Sequence, residues 1–204
     1  LVLVGDNDDP NDPAPYQVPP NIGRNGSFSA FRILEQDVAG FENYLESQKG
    51  EIDPELLAAK FCGRWRNGNP LELNPDKPGK PLGLPEINNF NYNQHSPGNT
   101  FDDYQGTRCP IGSHMRRNNP REAIVSTPVN SHRVVRRAMP YGPPYDPNNK
   151  DNIKRGLIGH FVGTIENSFE FLMHNWVNDS IFAPDIDFIS KDHLLGANDA
   201  GQAS

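Results

Sequence analysis

The stretch RGLIGHFVGT, residues 155–164, is strongly apolar and predicts a β-strand. The segment that follows, ENSFEFLMHNWVND (residues 166–179), predicts a helix because its apolar residues recur at helical spacing. We expect Trp176 to lie in the core, because it is on the apolar face of this helix. His160, inside the apolar strand, is either a core histidine or a residue that lines a pocket, and we favour the core. The residues that share the apolar face of this helix are Phe169, Leu172, Met173, Trp176 and Val177.

Three more strands are predicted on the N-terminal side of this strand and helix. GSFSAFRILEQ (residues 26–36) alternates apolar and polar side chains with the period of a strand. EAIVSTPV (residues 122–129) and HRVVRRAMPYG (residues 132–142) look like two strands joined by a turn. The long segment 67–108 is rich in Asn, Pro and Gly, and a loop of this length is usually functional or poorly ordered.

Two helices are predicted between the first strand and the long loop. Asp37 is a plausible N-cap for one, and Asp53 for the other, which has Pro54 at its first helical position and Gly63 as its C-terminal stop. Strands and helices in this order suggest an α+β fold, with an antiparallel sheet and helices on one face. The acidic, Pro-rich residues 1–24 predict an extended arm ahead of this domain.

Composition excludes some classes of protein. The chain has 204 residues and a formal net charge of −7, which argues against a general nucleic-acid binder. It has no apolar run long enough for a membrane-spanning helix, so we expect no membrane association. We see no signal peptide and favour a cytoplasmic location. Cys62 and Cys109 do not make a disulfide framework, which favours a reducing compartment.

One histidine stands among arginines in CPIGSHMRRNNPR, residues 109–121. The six histidines form no H-x-x-x-H or H-E-x-x-H pattern, which disfavours zinc. A single imidazole, that of His114, can instead ligate haem iron, because the porphyrin supplies four nitrogens. Arg116, Arg117 and Arg121 can then pair with the haem propionates. On composition alone, a lone histidine in such a loop is more often a surface residue, and both interpretations stay open.

A second basic pair lies in VVRRAMPYG, residues 134–142. Cleavage of the O–O bond of a peroxide needs a proton shuttle and a group that stabilises the departing negative charge. Arg136 suits only the second task, because a guanidinium stays protonated. The alternative for Arg136 and Arg137 is a solvated strand end.

These motifs, taken together and in order, resemble the C-terminal half of the dye-decolorizing peroxidases. The resemblance spans roughly residues 22–196. The matching stretches are GRNGSFSAFRILEQDVAGF, LLAAKFCGRWRNGNPL, CPIGSHMRRNNPR, HRVVRRAMPYG, RGLIGHFVGT and FEFLMHNWVND.

The resemblance implies a haem b peroxidase that reduces hydrogen peroxide and oxidises dyes or phenolic donors in one-electron steps. It implies two ferredoxin-like halves, each an antiparallel sheet with peripheral helices, which together form a dimeric α+β barrel-like fold. Residues 25–204 would be the C-terminal half. His114 would be the proximal iron ligand and Arg136 the distal arginine, rather than Arg137, because the family's arginine lies six residues before the closing glycine, here Gly142.

The family's proximal histidine is often held by a carboxylate, which raises its donor strength. Asp192 is the candidate here, with Asp187 and Glu166 as alternatives, and its other interpretation is a solvated charge in the tail. Arg116 and Arg121 remain candidates for haem binding. Surface aromatic residues would carry electrons from bulky donors, and the candidates are Tyr141, Tyr145 and Trp176.

One departure from the family matters. The family uses a distal aspartate in a G-x-x-D-G motif, which this chain does not contain. We therefore expect the N-terminal half to be missing from this chain and the chain alone to be poorly stable or oligomeric, with impaired turnover. Its partner would be the missing half or a second copy. The alternatives to a peroxidase are a haem-binding module without turnover and a partner-binding fragment without haem.

Overall fold

The computed structural model describes residues 27–92, 102–121, 129–181 and 191–198. The described residues belong to two units. The first, here called the sheet unit, is drawn from Leu1–Phe41 and Asn130–Phe171. The other, here called the histidine unit, is drawn from Glu42–Val129 and Leu172–Ser204. No helix in the described ranges is both long and apolar enough to span a membrane.

The described strands and helices follow the predicted order, with one further short helix at His114–Asn118 that was not predicted. The strands are β1 (Phe28–Gln36), β2 (Val135–Tyr141) and β3 (Arg155–Gly163). The α-helices are α1 (Val38–Ser47), α2 (Pro54–Cys62) and α3 (His114–Asn118). Short 3-10 turns occupy Glu86–Asn88 and Val129–His132, and two helical segments with π-type hydrogen bonding occupy Ile165–Glu170 and Leu172–Val177. Together they make an α+β chain, as predicted.

The sheet has the order β1-β3-β2, so the apolar strand β3 is the central one. Both pairings are antiparallel, with Phe28 opposite Gly163 in one and Val135 opposite Val162 in the other. The predicted strand EAIVSTPV falls almost wholly on residues 122–128, outside the described residues, and Val129 begins a 3-10 turn.

The two faces of the sheet differ in what covers them. On one face, Phe169 of the helical segment packs against Phe161, with ring centroids 5.3 Å apart, and the guanidinium of Arg32 lies over the Phe169 ring at 4.9 Å. Alternation along the strands places the exposed apolar side chains together on the other face. These are Phe31, Ile33, Val135 and Met139.

His160 lies on this exposed face, so the prediction that it is a core histidine is wrong. Its Nδ1 is 3.0 Å from the hydroxyl of Ser29, and its ring contacts Phe31 at a centroid distance of 4.9 Å. Hydropathy along β3 did not reveal this, because an apolar strand does not show which of its faces is covered. Trp176 is buried, as predicted, with 3% of its surface exposed.

The residues predicted as helix caps lie at the ends of α1 and α2. The carboxylate of Asp53 accepts a hydrogen bond from the Leu56 N–H at 3.0 Å, with Pro54 in the first turn of α2. Gly63 ends α2 in the left-handed conformation with φ of 95°, where its N–H donates to the Ala59 carbonyl. Asp37 caps α1 in the same way, by accepting from the Gly40 N–H at 2.8 Å.

The long loop supplies much of the buried core of the histidine unit, which sequence reasoning did not foresee. Asn69 is fully buried and holds this loop in shape. Its side-chain amide donates to the carbonyls of Pro78 and Lys80, both at 2.7 Å, and its carbonyl accepts from the Leu82 N–H at 2.9 Å. The core residues packed together here are Ala59, Trp65, Leu71, Phe90, Tyr92 and Cys109.

Candidate functional site

His114 begins the short helix α3, and the loop before it is built around a buried carboxylate. Asp103, 1% exposed, accepts hydrogen bonds from the N–H of Arg108 at 2.8 Å and of Cys109 at 2.9 Å. The Cys109 thiol lies 3.1 Å from the hydroxyl of Ser113, the residue before the helix. Hydrogen bonds rather than regular secondary structure therefore fix the position at which α3 begins.

The imidazole of His114 is held by Asp192. Its Nδ1 lies 2.8 Å from the Asp192 Oδ2, and the carboxylate has no exposed surface whereas the imidazole side chain is 22% exposed. Because a carboxylate only accepts hydrogen bonds, Nδ1 carries the proton and donates it. This tautomer leaves the lone pair of the imidazole on Nε2, which is the atom that can bind a metal.

Asp192 stays ionised in this setting. Burial opposes its charge, but the hydrogen bond and the electrostatic attraction of His114, together with backbone donors, hold the pKa of the Asp192 carboxyl below its ordinary value. The backbone donors are the N–H groups of Leu194 and Leu195, each 2.8 Å from Oδ1. The carboxylate therefore faces His114 as a buried anion whose charge is stabilised by hydrogen bonds.

The turn that carries Asp192 is attached to the helix and to the loop beside it. The Asp192 N–H donates to the Val177 carbonyl at 2.9 Å, and the His193 N–H donates to the Gly112 carbonyl at 3.0 Å. The His193 ring meets Phe61 edge-on at 5.5 Å, and burial lowers the pKa of this imidazole. These contacts bring together residues almost eighty positions apart in the chain, so that Asp192 can reach His114.

Asn118 is a site residue that sequence reasoning missed. It lies one helical turn after His114, and its side-chain nitrogen is 2.8 Å from the His114 carbonyl and 3.2 Å from the Asp192 Oδ2. The spacing i, i+4 within HMRRN was the available signal, since residues four apart share one face of a helix.

The arginines of the motif have protein partners. Arg116 is fully buried, bonds the Asp103 Oδ2 at 3.0 Å and the Cys109 carbonyl at 2.6 Å, and lies over the Tyr92 ring at 4.3 Å. Arg121 donates to the Phe90 carbonyl at 2.7 Å and stacks on the ring of the same residue at 3.7 Å. These contacts stabilise the histidine unit, and a role for either arginine in propionate binding stays a prediction.

Arg117 supports the helical segment beside the site. Its guanidinium donates to the carbonyls of Trp176 and Asp179, both at 2.9 Å. Burial lowers the pKa of Arg117 to about 10, although the negative charges of Asp192 and Asp179 act in the opposite direction. Asp187 and Glu166 are the alternatives to Asp192 as the partner of His114. Neither can be compared with it, because Asp187 and the side chain of Glu166 lie outside what the structure describes.

Arg136 lies in β2 of the sheet unit, opposite Phe161, and is exposed. Arg137 follows on the opposite face, where it pairs in register with His160 and donates to the Arg136 carbonyl at 3.3 Å. Strand alternation therefore separates the two arginines, so that only one of them can face a given ligand. The distal role of Arg136 stays a prediction.

A conventional multi-residue metal centre is missing from the described part of the chain, where no three His, Cys, Asp or Glu residues cluster to hold an ion. Within the same ranges, both polar contacts of the His114 ring, with Asp192 and with Asn118, involve Nδ1. One imidazole that is oriented by a carboxylate, with Nε2 available, fits a cofactor that brings its other ligands with it.

Comparison with known proteins finds chains that are similar to this one. No protein-family model matches the chain. A dye-decolorizing peroxidase from Mycena epipterygia is 31% identical over 220 residues, which cover 98% of this chain and 41% of that protein. The crystal structure of a decolorizing peroxidase from Auricularia auricula-judae matches with a TM-score of 0.71 and 30% identity, over 90% of this chain and 44% of that one.

A dye-decolorizing peroxidase solved in complex with 2,6-dimethoxyphenol matches with a TM-score of 0.68 and 29% identity, over 88% of this chain and 42% of that one. The chain spans about two fifths of the length of the curated relative from Mycena. These likenesses cover the motifs around His114 and Arg136 as well as the sheet. Over nearly its whole length, the chain is therefore similar to dye-decolorizing peroxidases.

Proposed function

We propose that this chain is the haem-binding part of a peroxidase that reduces hydrogen peroxide and oxidises dyes or phenolic donors in one-electron steps. The observation that carries the proposal is the hydrogen bond from His114 Nδ1 to the buried carboxylate of Asp192. It fixes the tautomer that an iron ligand needs. The family adds the reaction class, since its members are named as dye-decolorizing peroxidases.

The residues present fit a haem with one protein ligand, and haem b is the form that we propose. When bound, the haem would supply the iron centre at which peroxide is reduced. His114 would hold it through Nε2. Asp192 keeps the proton of the imidazole on Nδ1, so that Nε2 stays unprotonated and electron-rich. The pairing thereby favours an oxidised metal over a reduced one.

Arg136 is proposed as the residue that stabilises the negative charge on the departing oxygen of the peroxide. A guanidinium serves as a positive group and not as a proton shuttle. The chain contains no G-x-x-D-G motif, and no residue of this chain is proposed for the proton transfer.

Donor oxidation is proposed for phenols and dyes, because a family member has been solved with 2,6-dimethoxyphenol. Tyr141 and Tyr145 are half-buried in the sheet unit and remain candidates for electron entry. Trp176 is less suited, because it is 3% exposed and a donor in solution does not reach it directly.

A haem-binding module without turnover is the alternative, and the similarity to proteins named as dye-decolorizing peroxidases does not favour it. Both candidates predict a Soret band for the haem-loaded chain. Only the peroxidase predicts peroxide-dependent oxidation of 2,6-dimethoxyphenol. Oxidation that falls strongly in Arg136→Leu, with the Soret band unchanged, supports the peroxidase. A parent chain with a Soret band but no oxidation supports the module.

Haem titration tests the ligand. We expect a Soret band in the parent chain that disappears in His114→Ala and persists in His174→Ala, which replaces an exposed histidine of the helical segment. A band that survives in His114→Ala contradicts the assignment of the ligand, and no band in the parent contradicts haem binding by this chain.

A further inference from the structure

The carboxylate of Asp192 is shared between two side chains. Oδ2 lies 2.8 Å from His114 Nδ1 and 3.2 Å from the side-chain nitrogen of Asn118. Oδ1 is occupied by the N–H groups of Leu194 and Leu195. Asn118 and His114 thus donate to the same oxygen, while the opposite oxygen is held by the backbone.

The orientation of the Asn118 amide follows from its surroundings. Its nitrogen faces the His114 carbonyl at 2.8 Å and the Asp192 Oδ2 at 3.2 Å, so that both amide hydrogens have acceptors. The reverse orientation would place the Asn118 oxygen against a carbonyl and a carboxylate, which repel it. The contact of 3.2 Å between this nitrogen and His114 Nδ1 shows how closely the two donors approach each other.

Two donors on one carboxylate oxygen compete for its charge. An amide N–H that binds Oδ2 withdraws part of the negative charge that otherwise attracts the proton on His114 Nδ1. The stronger this attraction, the more electron density reaches Nε2 and the more strongly the imidazole donates to a metal. The geometry gives Asn118 a position from which it reduces the attraction without touching the metal-binding nitrogen.

We propose that Asn118 is a positioning residue that limits the donor strength of His114 by sharing the Asp192 carboxylate. The inference rests on the proposed function, because it concerns the iron that His114 would bind. An imidazole with greater donor strength stabilises ferric over ferrous iron. Loss of the Asn118 amide therefore makes the ferric/ferrous reduction potential more negative.

The test measures the reduction potential of the haem-loaded chain by spectroelectrochemical titration. Asn118→Leu keeps the approximate size of the side chain and removes its donors, and Asn118→Ala removes them without adding an apolar branch. Both variants are expected to shift the potential to more negative values and to raise the frequency of the iron–histidine stretch in the ferrous state. A residue that only supports the helix would change stability but neither of these readouts.

Asn198→Leu is the matched control. The Asn198 amide bonds the backbone carbonyl of Asp192 at 3.0 Å, not its carboxylate, so its loss disturbs the same turn without changing the charge shared with His114. We expect this variant to keep the potential of the parent. An equal shift in Asn198→Leu and Asn118→Leu overturns the proposal.

The remaining outcomes distinguish failure of this inference from failure of the proposed function on which it rests. An unchanged potential in both Asn118 variants, with the His114-dependent Soret band intact, overturns the inference and leaves the proposed function standing. Loss of haem from both variants while the parent keeps it makes Asn118 a structural requirement and also overturns the inference. No Soret band in the parent overturns the proposed function, and the inference with it.

Discussion

In the sheet unit, three strands pair residue by residue along their length, whereas in the histidine unit the buried residues come largely from segments without regular secondary structure. The sheet unit leaves Ile33 and Met139 exposed on one face, 61% and 63% respectively. The histidine unit instead buries charged groups such as Arg116 and Asp192 completely. Backbone hydrogen bonds between strands hold the sheet unit together. Side-chain hydrogen bonds hold together the histidine unit, which contains the candidate ligand His114.

This comparison predicts that the largest effect on stability comes from a polar residue, Asp103. Asp103→Ala removes the acceptor of the Arg116 guanidinium, with both side chains fully buried, and leaves an unpaired charge. Loss of one partner from a buried pair costs about 3–5 kcal/mol. Urea denaturation followed by circular dichroism measures this loss of stability. Asp103→Asn should lose less stability, because the amide carbonyl still accepts a hydrogen bond. A cost below about 1 kcal/mol would contradict the central role of this pair.

Apolar residues provide the second test. Leu71 in the loop core is fully buried, so Leu71→Ala should destabilise the protein by about 2–5 kcal/mol. Met139→Ala, on the exposed face of the sheet, should change stability by less than about 0.5 kcal/mol in either direction. The two variants are compared in the same denaturation experiment. Equal costs would show that the exposed sheet face is covered in solution.

A smaller effect is expected from pH. Burial raises the pKa of the Cys109 thiol from its ordinary 9.0 to about 11. The neutral thiol therefore contributes stability that is fully present below pH 9.0 and is lost as pH rises through about 11. Two pKa units correspond to at most about 3 kcal/mol. Denaturation from pH 8 to 11 in the parent and in Cys109→Ala measures it, and an equal alkaline loss of stability in both would contradict the assignment to this thiol.

The smallest effect is expected at a helix end. Asp53→Ala removes the side-chain acceptor of the Leu56 N–H and should cost about 1 kcal/mol, whereas Asp53→Asn should keep most of the cap. Thermal unfolding of the three proteins measures this difference. Equal midpoints for all three would show that the cap contributes nothing to the histidine unit.

The features predicted from sequence are those with a local signal. Alternation predicted β1, cap residues predicted both ends of α2, and resemblance to the family indicated the Asp192 carboxylate as a partner of His114. Each signal lies in a few consecutive residues, except for the last, which came from resemblance to the family.

Features that depend on distant residues were missed. Asn69 builds the loop core through three hydrogen bonds to backbone groups up to thirteen residues away, and no periodic pattern encodes such contacts. The pairing of β1 with β3 joins segments more than a hundred residues apart. His160 was misassigned because an apolar strand does not reveal which of its faces is covered.

The central claim is that His114 Nε2 is the protein ligand of a haem iron. His114→Gly leaves the rest of α3 in place and opens a space that free imidazole can fill. Haem titration of this variant should give no Soret band of the parent type without imidazole and should regain it when imidazole is added. A parent-like band in His114→Gly without imidazole would contradict the claim, because another group would then hold the iron.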